Sequence, residues 1–390
     1  MAKFVAKTGN EAMAEAMRQI NPDVVAAYPI TPATEVVMIF AKYVADGLVN
    51  TEYVPVESEH SAMSACVGAS AAGGRVMTGT SSQGLVYMYE ILPIASALRL
   101  PIVMCEVNRA ISGPINIHCD HSDTMAARDF GWIQIFSENS QEAYDSLIQA
   151  VRIAENHDVL LPTMVTTDGF IISHCLDKIE VLDDKDITAF IGKDRKPNNS
   201  LLDLDKPTTL GSIDLQDYYF EHRVQVAEAI KNSKKTIIEV ANEFAKKFGR
   251  QYGLIEEYKL ADADYAIVAL GSTCGTAKVV IDELRAKGIK AGLLKIRVYR
   301  PFPAEEIAQA LSKIKNVAVL DRADGWAGQG GPAYAEIKAA LYKSKTPPKM
   351  INFVYGLGGR EIDKDQLAHV YDCLKNIEQQ PDVQYLGVRE

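Results

Sequence analysis

A chain of 390 residues is long enough for two or three domains, each with a core of its own. Its 47% apolar and 24% charged residues are those of an ordinary globular protein, and a formal charge of -10 argues against nucleic acid or an anionic membrane surface as partner. The six cysteines stand singly with no CxxC pair. That argues against a structural zinc site or an iron–sulfur cluster held by this chain, and it suits a reducing cytoplasm.

The opening residues MAKFVAKTGNE do not read as a secretory signal. The most apolar stretch, 85–105, is interrupted by Glu90, Pro93, Arg99 and Pro101, so it is not a membrane span. In chain order, Asn10 is placed to cap a helix over 11–20, which Asn21-Pro22 ends. A short buried-type strand, DVVAA (23–27), runs into YPITP (28–32). Thr31 as a hydroxyl cap and Pro32 at the first helical position predict a helix to about Ala45, stopped by Asp46-Gly47.

The next strand, 51–56, feeds the stretch VPVESEHSAMSACVGASAAGG (54–74). Ser58 is the predicted cap of its helix, with Glu59 in the first turn, where the macrodipole favours an anion. Ala62, Ala65, Ala69 and Ala72 recur at helical spacing, which allows a close approach to a neighbouring backbone. Such a helix can hold the Glu59 carboxylate still. Glu59 also fits the plainer reading of an acidic residue topping a helix.

A strand over 75–80 then leads to the turn Ser81-Ser82-Gln83-Gly84 and a helix to about Leu98. A strand over 101–107 ends at Asn108-Arg109, before the polar loop INIHCDHSD (115–123). A helix over 141–155 and a strand over 163–167 lead to Asp168. Strands alternating with helices at this spacing predict a parallel α/β sheet covered on both faces. Thr31, Glu59, Ser81-Ser82, Arg109 and Asp168 each follow a strand, so they should share the rim where such sheets bind ligands. Arginine grips carboxylates and helix starts welcome anions, which makes a small carboxylic acid between Thr31 and Arg109 the expected ligand. Arg109 is equally placed to be a structural partner of Glu106, Asp120 or Asp123.

Residues 179–213 are charged, proline-containing and aperiodic, and read as a long surface connection. A helix over 216–248 follows, long enough to be a strut between domains or a contact for another chain. A second α/β unit begins near Asp262. It has strands at 265–270, 291–298, 317–320 and 351–355, helices over 277–287 and after RPFP (300–303), and the glycine-rich turns Gly271-Ser272-Thr273, DGWAGQGGP (324–332) and 356–359. Those turns have the chemistry of a phosphate cradle, yet they match neither GxGxxG nor a P-loop, and they serve equally as plain turns.

Taken together, YPITP (28–32), ESEHSAMSA (57–65), NRAISGPINIHCDHSD (108–123), DGFIISH (168–174), RPFP (300–303) and YGLGGR (355–360) resemble the alpha subunit of pyruvate:ferredoxin oxidoreductase, within the 2-oxoacid:ferredoxin oxidoreductases. The resemblance covers nearly the whole chain. It implies an α/β fold with a pyrimidine-type thiamine diphosphate domain (1–178), a connection with a helical strut (179–261) and a transketolase C-terminal-like domain (262–390). It implies Glu59 as the carboxylate beside the aminopyrimidine, Thr31 and Arg109 as contacts to the substrate carboxylate, and Pro29, Ser81 and Ser82 as further cofactor contacts. Such a carboxylate favours the imino form of the pyrimidine, which acts as the base for the cofactor's C2 proton.

None of the Asp-Gly pairs at 46, 168 and 324 is preceded by glycine, so the GDG-type motif for Mg2+ and diphosphate is lacking. Cluster cysteines are lacking too. The resemblance assigns Mg2+ and the [4Fe-4S] clusters to beta, gamma and delta-type partner subunits of a cytoplasmic hetero-oligomer acting on pyruvate, coenzyme A and ferredoxin. Two alternatives stand beside it: an oxidoreductase for a branched-chain 2-oxoacid, and a non-catalytic scaffold subunit.

Overall fold

The computed structural model describes residues 3–197 and 199–389. Met1 and Ala2 of the opening stretch, Asn198 in the charged connection and the final Glu390 lie outside the described residues. The first half runs β1 (Lys3–Thr8), α1 (Gly9–Ile20), β2 (Val24–Ala27), α2 (Thr34–Ala45), β3 (Glu52–Pro55), α3 (Glu59–Ala71), β4 (Val76–Thr80), α4 (Ser82–Tyr87), α5 (Leu92–Ala97), β5 (Val103–Asn108), α6 (Ser122–Ala126), β6 (Ile133–Phe136), α7 (Ser140–Glu155) and β7 (Thr163–Asp168). Then come β8 (Leu176–Val181), α8 (Asp184–Ile191) and the 30-residue α9 (Tyr219–Phe248). The second half runs β9 (Ile255–Tyr258), β10 (Tyr265–Ala269), α10 (Thr273–Ala286), β11 (Ala291–Ile296), β12 (Val298–Arg300), α11 (Ala304–Leu311), β13 (Asn316–Asp321), α12 (Pro332–Leu341), β14 (Lys349–Tyr355), α13 (Lys364–Lys375) and β15 (Val383–Leu386).

These strands build two large sheets and a small antiparallel pair, β1-β8. The first sheet has the order β12-β6-β7-β5-β4-β2-β3 and is parallel except for β12. The second has the order β15-β14-β13-β10-β11-β9, parallel except for β9. The strands of the first sheet carry apolar side chains on both faces, as burial under helices on both sides requires. Met13, Met17, Val36, Phe40, Tyr144 and Leu147 from α1, α2 and α7 pack on one face. Ala62, Met63, Cys66, Leu85, Leu92 and Met104 fill the other. Crossing from one half to the other, β12 adds an antiparallel strand to β6 of the first sheet.

Several local expectations are corrected. Thr8, not Asn10, caps α1, in a reciprocal capping box with Glu11. Asn10 is buried in the first turn and donates to the carbonyl of Pro32. The helix after YPITP starts at Thr34 with no side-chain cap, so Thr31 is not its cap. The buried row of α3 is Glu59, Ala62, Met63, Cys66 and Ser70, one step round from the alanine stripe. The expected helix after Ser82 is two helices, α4 and α5. The connection is not wholly irregular, for it includes β8 and the capped helix α8. Finally, α9 lies on the first half, burying Val226, Ile237, Val240 and Phe244 in its core, while Lys234 reaches Glu306 of the second at 2.8 Å.

Candidate active site

In the first sheet β3, β2, β4, β5 and β7 are consecutive neighbours. Their carboxyl ends deliver Glu59, Thr31, Ser81-Ser82, Arg109 and Asp168 in that order. Glu59 packs against Gly84 just beyond Ser81-Ser82, Ser82 bonds the carbonyl of Ala110 next to Arg109, and Arg109 bonds the carbonyl of Thr31. Asp168 faces the second sheet instead.

Glu59 is the first residue of α3, and Ser58 caps that helix by accepting from the amide of Ser61. Its side chain is 7% exposed and lies against Gly84 of α4. A Cβ on Gly84 would stand 2.8 Å from Oε1 of Glu59 and 2.3 Å from Oγ1 of Thr80, so this contact requires glycine. Burial raises the Glu59 carboxyl above its ordinary range, only partly offset by its own main-chain amide. Glu57 is exposed and bonds Ser61 on the surface.

Arg109 is 7% exposed. Among the described residues its guanidinium donates to main-chain carbonyls alone, from Nε to Asn116 and from Nη1 to Thr31, each at 2.9 Å. Among the described residues no carboxylate forms an ion pair with it, so Asp120, Asp123 and Glu106 are not its counter-ions; Asp123 accepts only from its main-chain amide. Burial lowers its hold on its proton, with Asp123 opposing. Thr31 and Pro29 are exposed on the same rim. A nearly buried cation without a carboxylate partner, beside an exposed hydroxyl, is suited to receive a small anion.

Ser81 and Ser82 are fully buried. Each hydroxyl already donates to a main-chain carbonyl, Ser81 to Val107 at 2.7 Å and Ser82 to Ala110 at 2.6 Å. They tie the end of β4 to the end of β5. Ser82 stands at φ 46°, a left-handed conformation unusual for serine, held by these bonds and by its amide donating to Asp123. Asp123, which sequence reasoning treated only as a partner for Arg109, is the knot of this region.

Asp168 is buried between the halves, where it accepts from His121 at 2.8 Å, Ser272 Oγ at 2.5 Å and Arg322 at 3.1 Å. Burial alone would raise its carboxyl, but His121, Arg322 and Ser272 together hold it well below the usual range. Cys119, His121 and Asp168 bring donor atoms within 4.8 Å of one another, yet Arg322 already supplies the positive charge a metal ion would bring. Around them the 115–123 loop docks on the YGLGGR turn. The Gly359 amide donates to Cys119, the Gly358 amide to Asp120, and Asn116 to the Gly358 carbonyl.

The glycine turns of the second half meet carboxylates of the protein itself. Asp168 takes the amide of Ser272, and Asp321 takes the amides of Ala333 and Tyr334 at the start of α12. DGWAGQGGP also lines a cavity of about 400 Å3 against the 111–126 segment, away from Glu59.

The family described as pyruvate flavodoxin/ferredoxin oxidoreductase, thiamine diphosphate-binding, matches residues 15–242. That span covers every rim residue and more than half of the chain. This chain belongs to the pyruvate flavodoxin/ferredoxin oxidoreductase family. The pyruvate:ferredoxin oxidoreductase core domain II matches residues 263–367. Pyruvate synthase subunit PorA of Thermotoga maritima is 55% identical over 99% of this chain and 98% of its own. PorA of Methanocaldococcus jannaschii is 47% identical over 98% and 97%. Ketoisovalerate oxidoreductase subunit VorA of Pyrococcus abyssi is 41% identical over 95% and 93%.

A solved 2-oxoglutarate:ferredoxin oxidoreductase from Magnetococcus marinus shares the fold with a TM-score of 0.72 at 19% identity. It covers 95% of this chain, and this chain spans 65% of the solved one. Among the described residues no helix is long and apolar enough to cross a membrane.

The rim fits a thiamine diphosphate pyrimidine. Glu59 is a buried carboxyl whose raised affinity for a proton suits sharing one with a ring nitrogen, and the bare backbone of Gly84 packs directly against it and holds it in place.

Proposed function

We propose that this chain is the alpha subunit of a pyruvate:ferredoxin oxidoreductase, active only in a complex with companion subunits. The carrying observation is the nearly buried guanidinium of Arg109, with no carboxylate partner among the described residues, beside Thr31 on the rim that bears Glu59. Thiamine diphosphate, when bound, supplies the carbon nucleophile and electron sink for decarboxylating a 2-oxoacid. Glu59 holds a proton at the pyrimidine edge. Arg109 receives the substrate carboxylate, and the Thr31 hydroxyl adds a neutral hydrogen bond. Pro29 shapes the mouth, and Ser81 and Ser82 fix the strand ends that carry the site.

The companion subunits supply the Mg2+ and diphosphate half-site and the [4Fe-4S] clusters, and coenzyme A and ferredoxin complete the reaction. Pyruvate is favoured over a branched-chain 2-oxoacid because the pyruvate synthase relatives are 55% and 47% identical against 41% for the ketoisovalerate one. The experiment is reconstitution. The chain alone should be colourless and inactive. With companion subunits the complex should be brown and should reduce ferredoxin from pyruvate and coenzyme A faster than from ketoisovalerate. Dye reduction from pyruvate by the isolated chain would overturn the subunit reading.

A further inference from the structure

Glu106 lies in the middle of β5, with Thr80 of β4 and Thr166 of β7 as its register neighbours. It is fully buried, and no Lys, Arg or His pairs with it among the described residues. Neither carboxyl oxygen has a hydrogen-bond partner of good geometry, and the hydroxyls of Thr80 and Thr166 lack one as well. An ionised carboxylate cannot be accommodated in such surroundings without a donor or a cation. Asp123 and the Ser82 amide lie beside it.

Asp123 is equally buried but richly supplied with donors. Its Oδ2 accepts from the amides of Arg109 at 2.9 Å and Ser82 at 3.1 Å. Its Oδ1 accepts from the Asn108 side chain at 2.9 Å and the Thr124 amide at 2.8 Å. Two adjacent buried carboxyls do not both ionise, and the one with the donors keeps the charge. Burial raises both carboxyls, but for Asp123 the Arg109 amide, Asn108 and the Thr124 amide oppose it, whereas burial, then the charge of Asp123, push the Glu106 carboxyl well above the usual range.

We propose that Glu106 is a positioning residue for the substrate clamp: it holds the single proton of the Glu106–Asp123 pair, directs it at Asp123, and so keeps Asp123 the anion on which the main chains of Arg109 and Ser82 are set. This rests on the reading of Arg109 as the substrate contact. No bond breaks in this role. The proton stays on Glu106, and its effect reaches the substrate through the placement of Arg109.

The test uses the assembled complex with pyruvate as substrate. Glu106→Gln keeps a neutral donor of the same shape, and its KM for pyruvate should stay within about threefold of wild type. Glu106→Met removes the donor while filling the space with apolar atoms. Its KM should rise about tenfold or more, with kcat changed less than threefold and with thermal stability unchanged or higher. A filler role predicts the same stability with no change in KM, and that result would overturn the proposal. A second readout is independent of activity. The infrared difference spectrum of wild type against Glu106→Gln should show the carbonyl stretch of a protonated carboxylic acid at neutral pH, and a carboxylate band instead would also overturn it. Arg109→Ala separates the two readings. If its KM is unchanged, the clamp itself is wrong. If its KM rises and that of Glu106→Met does not, only the role of Glu106 is wrong.

Discussion

Arg109 donates from Nη1 to the carbonyl oxygen of Thr31 at 2.9 Å, which fastens the end of β5 to the turn after β2. The Arg109 guanidinium is therefore positioned by the main chain that carries Thr31 and not merely by its own strand. Replacing Arg109 removes this tie, whereas replacing the Thr31 side chain leaves it in place. Arg109→Ala removes a charge-assisted contact of about 1.5–3 kcal/mol, so kcat/KM for pyruvate should fall by roughly 10- to 100-fold or more. Thr31→Val keeps its main-chain carbonyl and loses only a neutral hydroxyl, so it should cost less. Cofactor affinity should be near normal in both, and steady-state kinetics with a cofactor titration checks this.

Glu59→Gln should leave α3 folded, because Ser58 caps that helix independently. An amide cannot share a proton with a ring nitrogen as a carboxyl does. Exchange of the C2 proton on bound cofactor should fall on the order of 10²- to 10⁴-fold. Glu57→Gln, on an exposed side chain, should be far milder. Hydrogen–deuterium exchange in the assembled complex is the measurement, and normal exchange in Glu59→Gln would remove Glu59 from the mechanism.

Gly84→Ala is a test of the packing behind that carboxyl. Alanine favours a helix by about 1 kcal/mol over glycine, so α4 itself is not at risk. The new methyl group would meet Thr80 Oγ1 at 2.3 Å and Glu59 Oε1 at 2.8 Å, so the carboxyl has to move. The expected result is a folded complex with C2 exchange reduced by at least tenfold. Circular dichroism and the exchange assay together distinguish displacement from unfolding.

Asp168→Asn probes the contact between the halves. The Asp168 carboxyl is held below its unfolded value of 3.8. Its contribution to stability is therefore present above about pH 4 and is lost as the pH falls through the folded value. Removing the charge leaves Arg322 buried without its partner, a loss of about 3–5 kcal/mol at neutral pH. The gap between wild type and variant in denaturant unfolding should be widest at neutral pH and should narrow below about pH 4.

The rim was legible in the sequence because it rests on local signals. Ser58 before Glu59, and Arg109 after an apolar strand, place themselves by capping and periodicity alone. The partners of those residues were not legible, because they come from distant segments. Nothing local says that Asp168 turns from the rim toward Ser272 and Arg322, or that Asp123 gathers the amides of Ser82 and Arg109. The strands that escaped notice were short or dependent on a partner. β6 has four residues, and β1 exists by pairing with β8, across more than 160 residues of chain. The cap of α1 was misplaced because both Thr8 and Asn10 precede the apolar row, and only the return bond from Glu11 decides between them.

The seventh strand of the first sheet has a consequence for synthesis and for dissection of the protein. Because β12 is the neighbour of β6 on its outer side, a ribosome that has finished β7 has not finished the sheet. Until Val298–Arg300 emerges, the outer side of β6 is a row of unpaired main-chain donors and acceptors, the kind of surface on which nascent chains associate wrongly. A fragment ending at the connection would keep that edge for good. Limited proteolysis that nicks 199–218 while leaving both pieces together would preserve the pairing, whereas separate expression of the same pieces would not.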